Sequence, residues 1–369
     1  MNNNKNYPLK RTIKVAIGYF FLMIITTIYH IMTISFLLNL NYNIYLVSFY
    51  SFLYTISFYI LMILFLNINI SIFSNLYYLF MLILGLYMNL FFSSIVYYFI
   101  YFFINNNYSK SFYSSIYFSL GIYLFLNDFS NDKKIYLDKV SFKVKNLKEN
   151  ITICHLTDLH LGANYDINYV NKIVNKIKNE RIDLIVITGD LVDGNISVTK
   201  EIFRPFEKIK VPIYYVIGNH EHYFDIKYYL SELEKTNITR LSNKNIEFKG
   251  INLIGIDYDS NQKNIKKILN NLLKLNKKNL PNVLLYHVPF IPVDQLEKYN
   301  ITLFCNGHLH GGQMFPINVF HYLKYKVIDG LYTKNNKNFS YCCNGLGTSG
   351  PPIRVSKAKI GLITLLKDE

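Results

Sequence analysis

Apolar positions fall in two regimes along the chain. Up to Leu126 they run almost unbroken, in the stretches Val15–Leu38, Ile44–Leu66, Leu76–Ile104 and a shorter Tyr108–Leu126. About 20 apolar residues suffice for a helix to cross roughly 30 Å of hydrocarbon, so the pattern predicts four transmembrane helices over residues 1–126. After Asn127–Lys134 the pattern changes to short apolar runs alternating with amphipathic stretches, the signature of an α/β domain. Residues 127–149 read as a linker and a first strand, and 150–369 as the domain. The runs Ile151–Leu156, Leu184–Thr188, Ile213–Ile217, Val283–Tyr286 and Ile301–Cys305 read as buried strands. Ile167–Glu180 carries Val170, Ile173, Val174 and Ile177 at helical spacing behind Asp166, a natural N-cap. Asp225–Thr236 and Ile265–Leu275 repeat that helical pattern.

Charge sharpens the division. All 24 acidic residues lie beyond Leu126, and residues 1–126 carry only Lys5, Lys10, Arg11, Lys14 and Lys110. No soluble globular surface has that composition, and with several long apolar stretches after the first and no small-residue cleavage site, a cleaved leader is a poor reading. Basic flanks favour the cytoplasm. Lys5, Lys10, Arg11 and Lys14 precede the first stretch, and Lys133, Lys134, Lys139, Lys143 and Lys145 follow the last; an even number of spans puts both groups on one side. The reading is an integral protein of the cell membrane with a cytoplasmic catalytic domain and with membrane lipids as neighbours. His30 falls inside the first stretch, where a neutral imidazole bonded to another helix is the simpler role. With no other ionisable group well inside a span, anchoring accounts for the spans better than transport does.

Cys154 and Cys305 lie in apolar runs, and the adjacent Cys342 and Cys343 are badly placed to pair, so the expectation is four buried thiols and no disulfide framework. The net charge of +15 would tolerate nucleic acid, but the lysines around Ile265–Leu275 lack interleaved aromatics, and no nucleic-acid partner is expected. They form a solvated face or dock on anionic headgroups. Nothing identifies a protein partner.

Chemistry concentrates just past the strands: Asp158 and His160, Asp190, Asn219 and His220, His287, then His308 and His310. Ligands of open α/β sheets sit at the carboxyl ends of the strands, so these residues are expected to converge. Imidazoles and a carboxamide donate without adding charge, and one carboxylate can bridge two cations, with Asp190 the natural bridge. With only Asp158 and Asp190 contributing negative charge, two divalent ions and one bridging hydroxide would leave a net positive centre, suited to a phosphate ester. His155, His222 and His321 read as structural or surface residues, Asp193 as a support for a ligand, and Asp257 as a turn residue.

The runs Asp158-Leu-His160, Gly189-Asp190-Leu-Val-Asp193, Gly218-Asn219-His220-Glu221, the lone His287 and Gly307-His308-Leu-His310 resemble the calcineurin-like metallophosphoesterase superfamily, in family order over residues 150–350. The phrase Gly345-Leu-Gly-Thr-Ser-Gly-Pro-Pro-Ile-Arg354 is similar to bacterial members that carry N-terminal membrane spans. The resemblance implies a β-sandwich flanked by helices. It implies two divalent ions, with Mn, Fe and Zn all compatible, one on Asp158, His160 and His310 and the other on Asn219, His287 and His308, bridged by Asp190. It also implies His220 as the catalytic residue, and hydrolysis of a phosphomonoester or phosphodiester, lipid-linked ones included, by metal-bound hydroxide. The competing reading is a metal-binding membrane sensor or scaffold without catalysis.

Overall fold

The structure, a computed structural model, describes residues 43–67, 71–103, 110–193, 198–223, 225–276, 278–315 and 317–368, with isolated positions at 24, 27, 28 and 31–33. Most of Val15–Leu38, His30 included, lies outside the described residues. The chain divides into two compact units, Met1–Asn127 and Asp128–Glu369.

The first unit contains α1 (Ile44–Asn67), α2 (Ser71–Phe103) and most of α3 (Lys110–Lys133). Within α2, Tyr77–Phe103 is the one described segment long and apolar enough to cross a membrane. Polar side chains in these helices turn back on the backbone: Ser51 and Thr55 donate to the carbonyls of Val47 and Ser51, as hydroxyls must where water is scarce. The composition break at Asn127–Lys134 does not end α3, which runs on to Lys133. Its last turns belong to the second unit, where Tyr165 donates to Asp132 at 2.6 Å and Asn131 to the carbonyl of Val355 at 3.2 Å.

The second unit is a sandwich of two six-stranded sheets. The first contains β1 (Ile135–Val144), β2 (Ile151–Leu156), β3 (Leu184–Thr188), β4 (Ile213–Val216), β5 (Ile238–Arg240) and β12 (Ala358–Lys367), in the order β1-β12-β2-β3-β4-β5. The second contains β6 (Lys244–Phe248), β7 (Ile251–Gly255), β8 (Asn282–Leu285), β9 (Leu303–Asn306), β10 (Gly330–Thr333) and β11 (Phe339–Cys342), in the order β10-β11-β9-β8-β7-β6. The centres are parallel: β2 to β5 in one sheet, and β7, β8, β9 and β11 in the other.

Alternation along each strand explains the layers. Ile151, Ile153, Leu184 and Val186 face Val283, Leu285, Leu303 and Cys305 in the core between the sheets. Cys154, Leu156, Ile185 and Ile187 point the other way, onto α4 (Ile167–Ile177), α5 (Ile226–Leu233) and the 3-10 turn Lys200–Lys208. On the opposite side Leu284 and Phe304 meet Ile265, Leu269 and Leu272 of α6 (Gln262–Leu273). Both faces of each central strand are therefore buried, which is why the strands read as continuous apolar runs. Asp166, Asp225 and Asn261 cap the three helices by accepting from their first backbone N–H groups. The expected β-sandwich with flanking helices is the observed architecture. All four cysteines are buried and free.

Candidate metal centre

The site forms where the carboxyl ends of β2, β3 and β4 in one sheet meet those of β8 and β9 in the other. Backbone bonds stitch the turns together: Asp158 N–H donates to the Gly189 carbonyl at 3.1 Å, His160 N–H to that of Asp190 at 3.0 Å, and Gly307 N–H to that of His287 at 2.9 Å. Across the sandwich, His287 Nδ1 lies 2.8 Å from the Thr188 carbonyl. Space is minimal here. A Cβ on Gly189, whose φ is +87°, would come within 2.7 Å of both the Gly218 Cα and His287 Nδ1, so only glycine fits.

Five of the seven candidate donors, Asp158, His160, Asp190, His308 and His310, have φ between +48° and +73°. Left-handed backbone at a non-glycine residue costs on the order of 1 kcal/mol or more and persists only where neighbours enforce it. The tight reversals aim successive donors at one point instead of letting the chain run on.

The donors converge in two groups. His160 Nε2 and His310 Nε2 are 3.2 Å apart, with Asp158 Oδ1 at 3.5 Å from the latter and 4.0 Å from the former. His287 Nε2 lies 3.1 Å from each of Asp190 Oδ2, Asn219 Oδ1 and His308 Nδ1. Asp190 Oδ2 stands between the groups, 3.9 Å from His160 Nε2. Ring nitrogens facing one another at 3.1–3.2 Å, backed by carboxylates, are a donor set that a pair of cations would satisfy.

The surrounding bonds settle which atoms are left to donate. Asp193 Oδ1 takes His160 Nδ1 at 2.9 Å and His220 Nδ1 at 3.2 Å, which orients both rings and leaves each Nε2 facing inward. The grouping of His160, Asp193 and His220 is thus a support for the site and not a third pocket. Asn219 Nδ2 donates to Tyr223 Oη at 3.0 Å, turning its Oδ1 inward. His310 Nδ1 meets the Gly347 carbonyl at 3.2 Å. His220 remains 14% exposed in its side chain, with Nε2 3.9 Å from Asp190 Oδ2 and 3.5 Å from Ser349 Oγ.

Without cations the charges are shared among the residues. Burial opposes charge on every group, yet His287, His220 and His160 together hold the Asp190 carboxyl well below the usual range. Burial pushes Asp158 up despite His287 beside it. Asp190 and Asp193 outweigh burial at His220 and raise it to about 10, and Asp190 with Asp158 raises His287 to about 9. Burial and His287 hold His308 down near 3.

Two supports escaped the sequence reading. Glu221, buried, accepts from the backbone N–H groups of Asp190, Leu191, Val192 and Gly218 at 2.6–3.2 Å. Asp257, expected as a turn residue, pairs with Arg240, accepts from Ser242 at 2.6 Å and takes the Ile217 N–H at 3.0 Å, bracing the end of β4. A lone acid next to a candidate donor gives no sign in the sequence of whether it faces cations or backbone. His155 is wholly buried, 2.7 Å from Thr188 Oγ1, and is structural as expected; His222 is exposed.

Residues 151–312 match the family model of the calcineurin-like phosphoesterases. A protein of Helicobacter pylori strain 26695 named "Uncharacterized metallophosphoesterase" is 33% identical over 237 residues, 63% of this chain and 62% of its own length. A "Transmembrane protein with metallophosphoesterase domain" of Bos taurus is 29% identical over 239 residues, 58% of this chain and 53% of that protein. Among solved structures, a dimetal phosphatase from Danio rerio covers 53% of this chain and 88% of its own, at 12% identity and a TM-score of 0.34. The chain thus spans less than two thirds of the length of these sequence relatives. All seven converging donors lie inside the segment, residues 151–312, that matches the calcineurin-like phosphoesterase family model.

Proposed function

We propose that this chain is a membrane-anchored phosphoesterase with two divalent cations, one held by Asp158, His160 and His310 and the other by Asn219, His287 and His308, with Asp190 shared. The position of Asp190 Oδ2, 3.1 Å from His287 Nε2 and 3.9 Å from His160 Nε2, carries this reading. Cations bound there supply a hydroxide nucleophile at neutral pH and charge to stabilise a phosphoryl group.

The chain's own residues do the rest. His220, oriented through Nδ1 by Asp193, presents Nε2 at the open side of the site and gives its proton to the leaving oxygen or to the phosphoryl group. Ser349 Oγ lies 3.5 Å from that nitrogen. Asp193 and Glu221 keep the donors in place while contacting no substrate. The substrate is a phosphomonoester or phosphodiester, and lipid-linked esters are the class an anchored enzyme reaches most readily. With four spans, the basic groups at residues 5–14 and 133–145 put the domain on the cytoplasmic face.

The test is elemental analysis of the purified full chain beside a panel of aryl phosphates, nucleotide esters and phospholipid-derived phosphates. Two equivalents of transition metal and turnover abolished by chelation are expected. Two bound equivalents without turnover of any ester would support the scaffold reading instead.

A further inference from the structure

Helix α7 (Ile317–Tyr325) follows the second pair of histidines and has no buried residue. Val319, Phe320, Tyr322 and Leu323 form one exposed stripe at helical spacing, with Phe320 65% and Leu323 58% exposed. Elsewhere in this unit amphipathic helices bury their apolar face: α6 sinks Ile265, Leu269 and Leu272 into the core and turns its lysines outward. In α7 the order is inverted except at its ends, where Ile317 and Tyr325 are half-buried, Tyr325 against Leu309, Val327 and Cys342. Asn318 and His321 face the protein, and a Cβ on Gly312 would lie 2.0 Å from the Asn318 Cα, which fixes the helix against the turn carrying His310.

We propose that α7 is an interfacial helix that lies on an anionic lipid bilayer and brings a lipid-embedded phosphate ester to the metal centre; the substrate half of this rests on the phosphoesterase reading above. A bilayer fits the stripe in chemistry. Lys324 sits 4.7 Å from the Tyr325 ring and Lys326 5.9 Å from the Tyr322 ring. That arrangement of apolar residues with aromatic rings and lysines at one margin suits the headgroup boundary, where the stripe enters the acyl region and the cations meet anionic phosphates. A stable protein interface needs about 800 Å² per partner, more than four side chains on one short helix present. The same chain carries Tyr77–Phe103, a segment long and apolar enough to cross a bilayer.

The chain contains no Trp, so Phe320→Trp provides a single emission probe in the full-length protein. It would be reconstituted into phosphatidylcholine vesicles, with and without phosphatidylglycerol, containing acyl-brominated lipid. The expected result is a blue-shifted emission quenched by the brominated chains, more strongly with phosphatidylglycerol, while Tyr228→Trp on α5 stays unquenched. A Phe320→Trp emission untouched by brominated lipid overturns the proposal, whether water or a second copy of the chain covers the stripe. Independently, the double variant F320D/L323D should lose roughly tenfold or more turnover of a phosphate ester presented in vesicles and keep turnover of a soluble aryl phosphate. Equal effects on both substrates count against it. A wild-type protein that hydrolyses neither ester defeats the phosphoesterase reading, and the quenching result then decides the docking surface alone.

Discussion

At the residue scale His220 and His155 make a contrasting pair. His220 keeps one ring nitrogen on Asp193 and the other at the mouth of the site, so His220→Asn should lower kcat about 10²- to 10³-fold while bound metal stays at its wild-type level. Parallel kinetics and elemental analysis check this, and an equal loss of metal would instead make His220 a ligand. His155 is the reverse case: burial in the inter-strand core lowers its pKa to about 3. Its unfolded pKa is near 6.5, so between those values the unfolded chain binds the proton and the folded one does not. The stability conferred is complete above about pH 6.5 and is lost as pH falls toward 3, at up to roughly 1.4 kcal/mol per pH unit. Thermal unfolding from pH 7 to 4 should show a shallower acid limb for His155→Gln than for the wild type. Glu221 is a third kind of residue: Glu221→Gln turns an amide donor toward two of the four N–H groups it serves and should cost about 2–4 kcal/mol. Its effect on activity follows from the loosened Asp190 turn, and a variant with unchanged unfolding temperature would contradict the geometry.

At the element scale the decisive piece is the loop between β11 and β12. Arg354, fully buried, donates to the carbonyls of Asn344, Gly345, Leu346 and Gly347. Gln313 ties Ser349 and Pro351 to the turn after His310. The loop is in this way laced over Asp158, His310 and His220 from both ends. Arg354→Met removes its donors from those carbonyls, of which Gly345, Leu346 and Gly347 keep Lys359, Tyr169 and His310 as partners, and the expected cost is on the order of 3 kcal/mol, with new proteolytic cleavage confined to residues 344–354. The same loop shows what a sequence can and cannot disclose. Donors at strand ends were legible because Asp-x-His and Gly-His-x-His follow apolar runs directly, and β2 and β3 have the limits their apolar runs set. Pairing was not. Strands of both sheets are buried on both faces, so Leu184–Thr188 and Leu303–Asn306 carry the same apolar pattern although they lie in different sheets. Nor does any local signal bring Ala358–Lys367 between β1 and β2, parallel to one and antiparallel to the other. Buried acids such as Glu221 and Asp257, which bond backbone groups from distant turns, are equally silent in one dimension.

At the scale of the whole molecule the proposed centre is a clasp across the end of the sandwich. Asp158, Asp190 and Asn219 follow strands of one sheet, and His287, His308 and His310 follow strands of the other. Cations bound there would tie the sheets together, and a ligand held only by the folded state stabilises it by about 4 kcal/mol at a concentration 1,000 times its dissociation constant. The chain carries its own reporter of that effect. All four cysteines lie beyond residue 127 and none is exposed: Cys305 and Cys343 are in the core between the sheets, Cys154 in the core under α4, and Cys342 beside Leu309 and Val327. Burial also pushes the Cys343 thiol up to about 12, which suppresses the reactive thiolate. Alkylation at pH 8 therefore reads the opening of the second unit and is blind to the first. With metal bound, labelling should be slow and rise steeply only at the unfolding temperature; after chelation the same rise should come at a lower temperature, and adding metal back should restore it. Thiol labelling that ignores chelation while activity disappears would mean that the cations serve chemistry alone and that the core of Ile153, Val186, Val283 and Leu303 holds the sheets together without them.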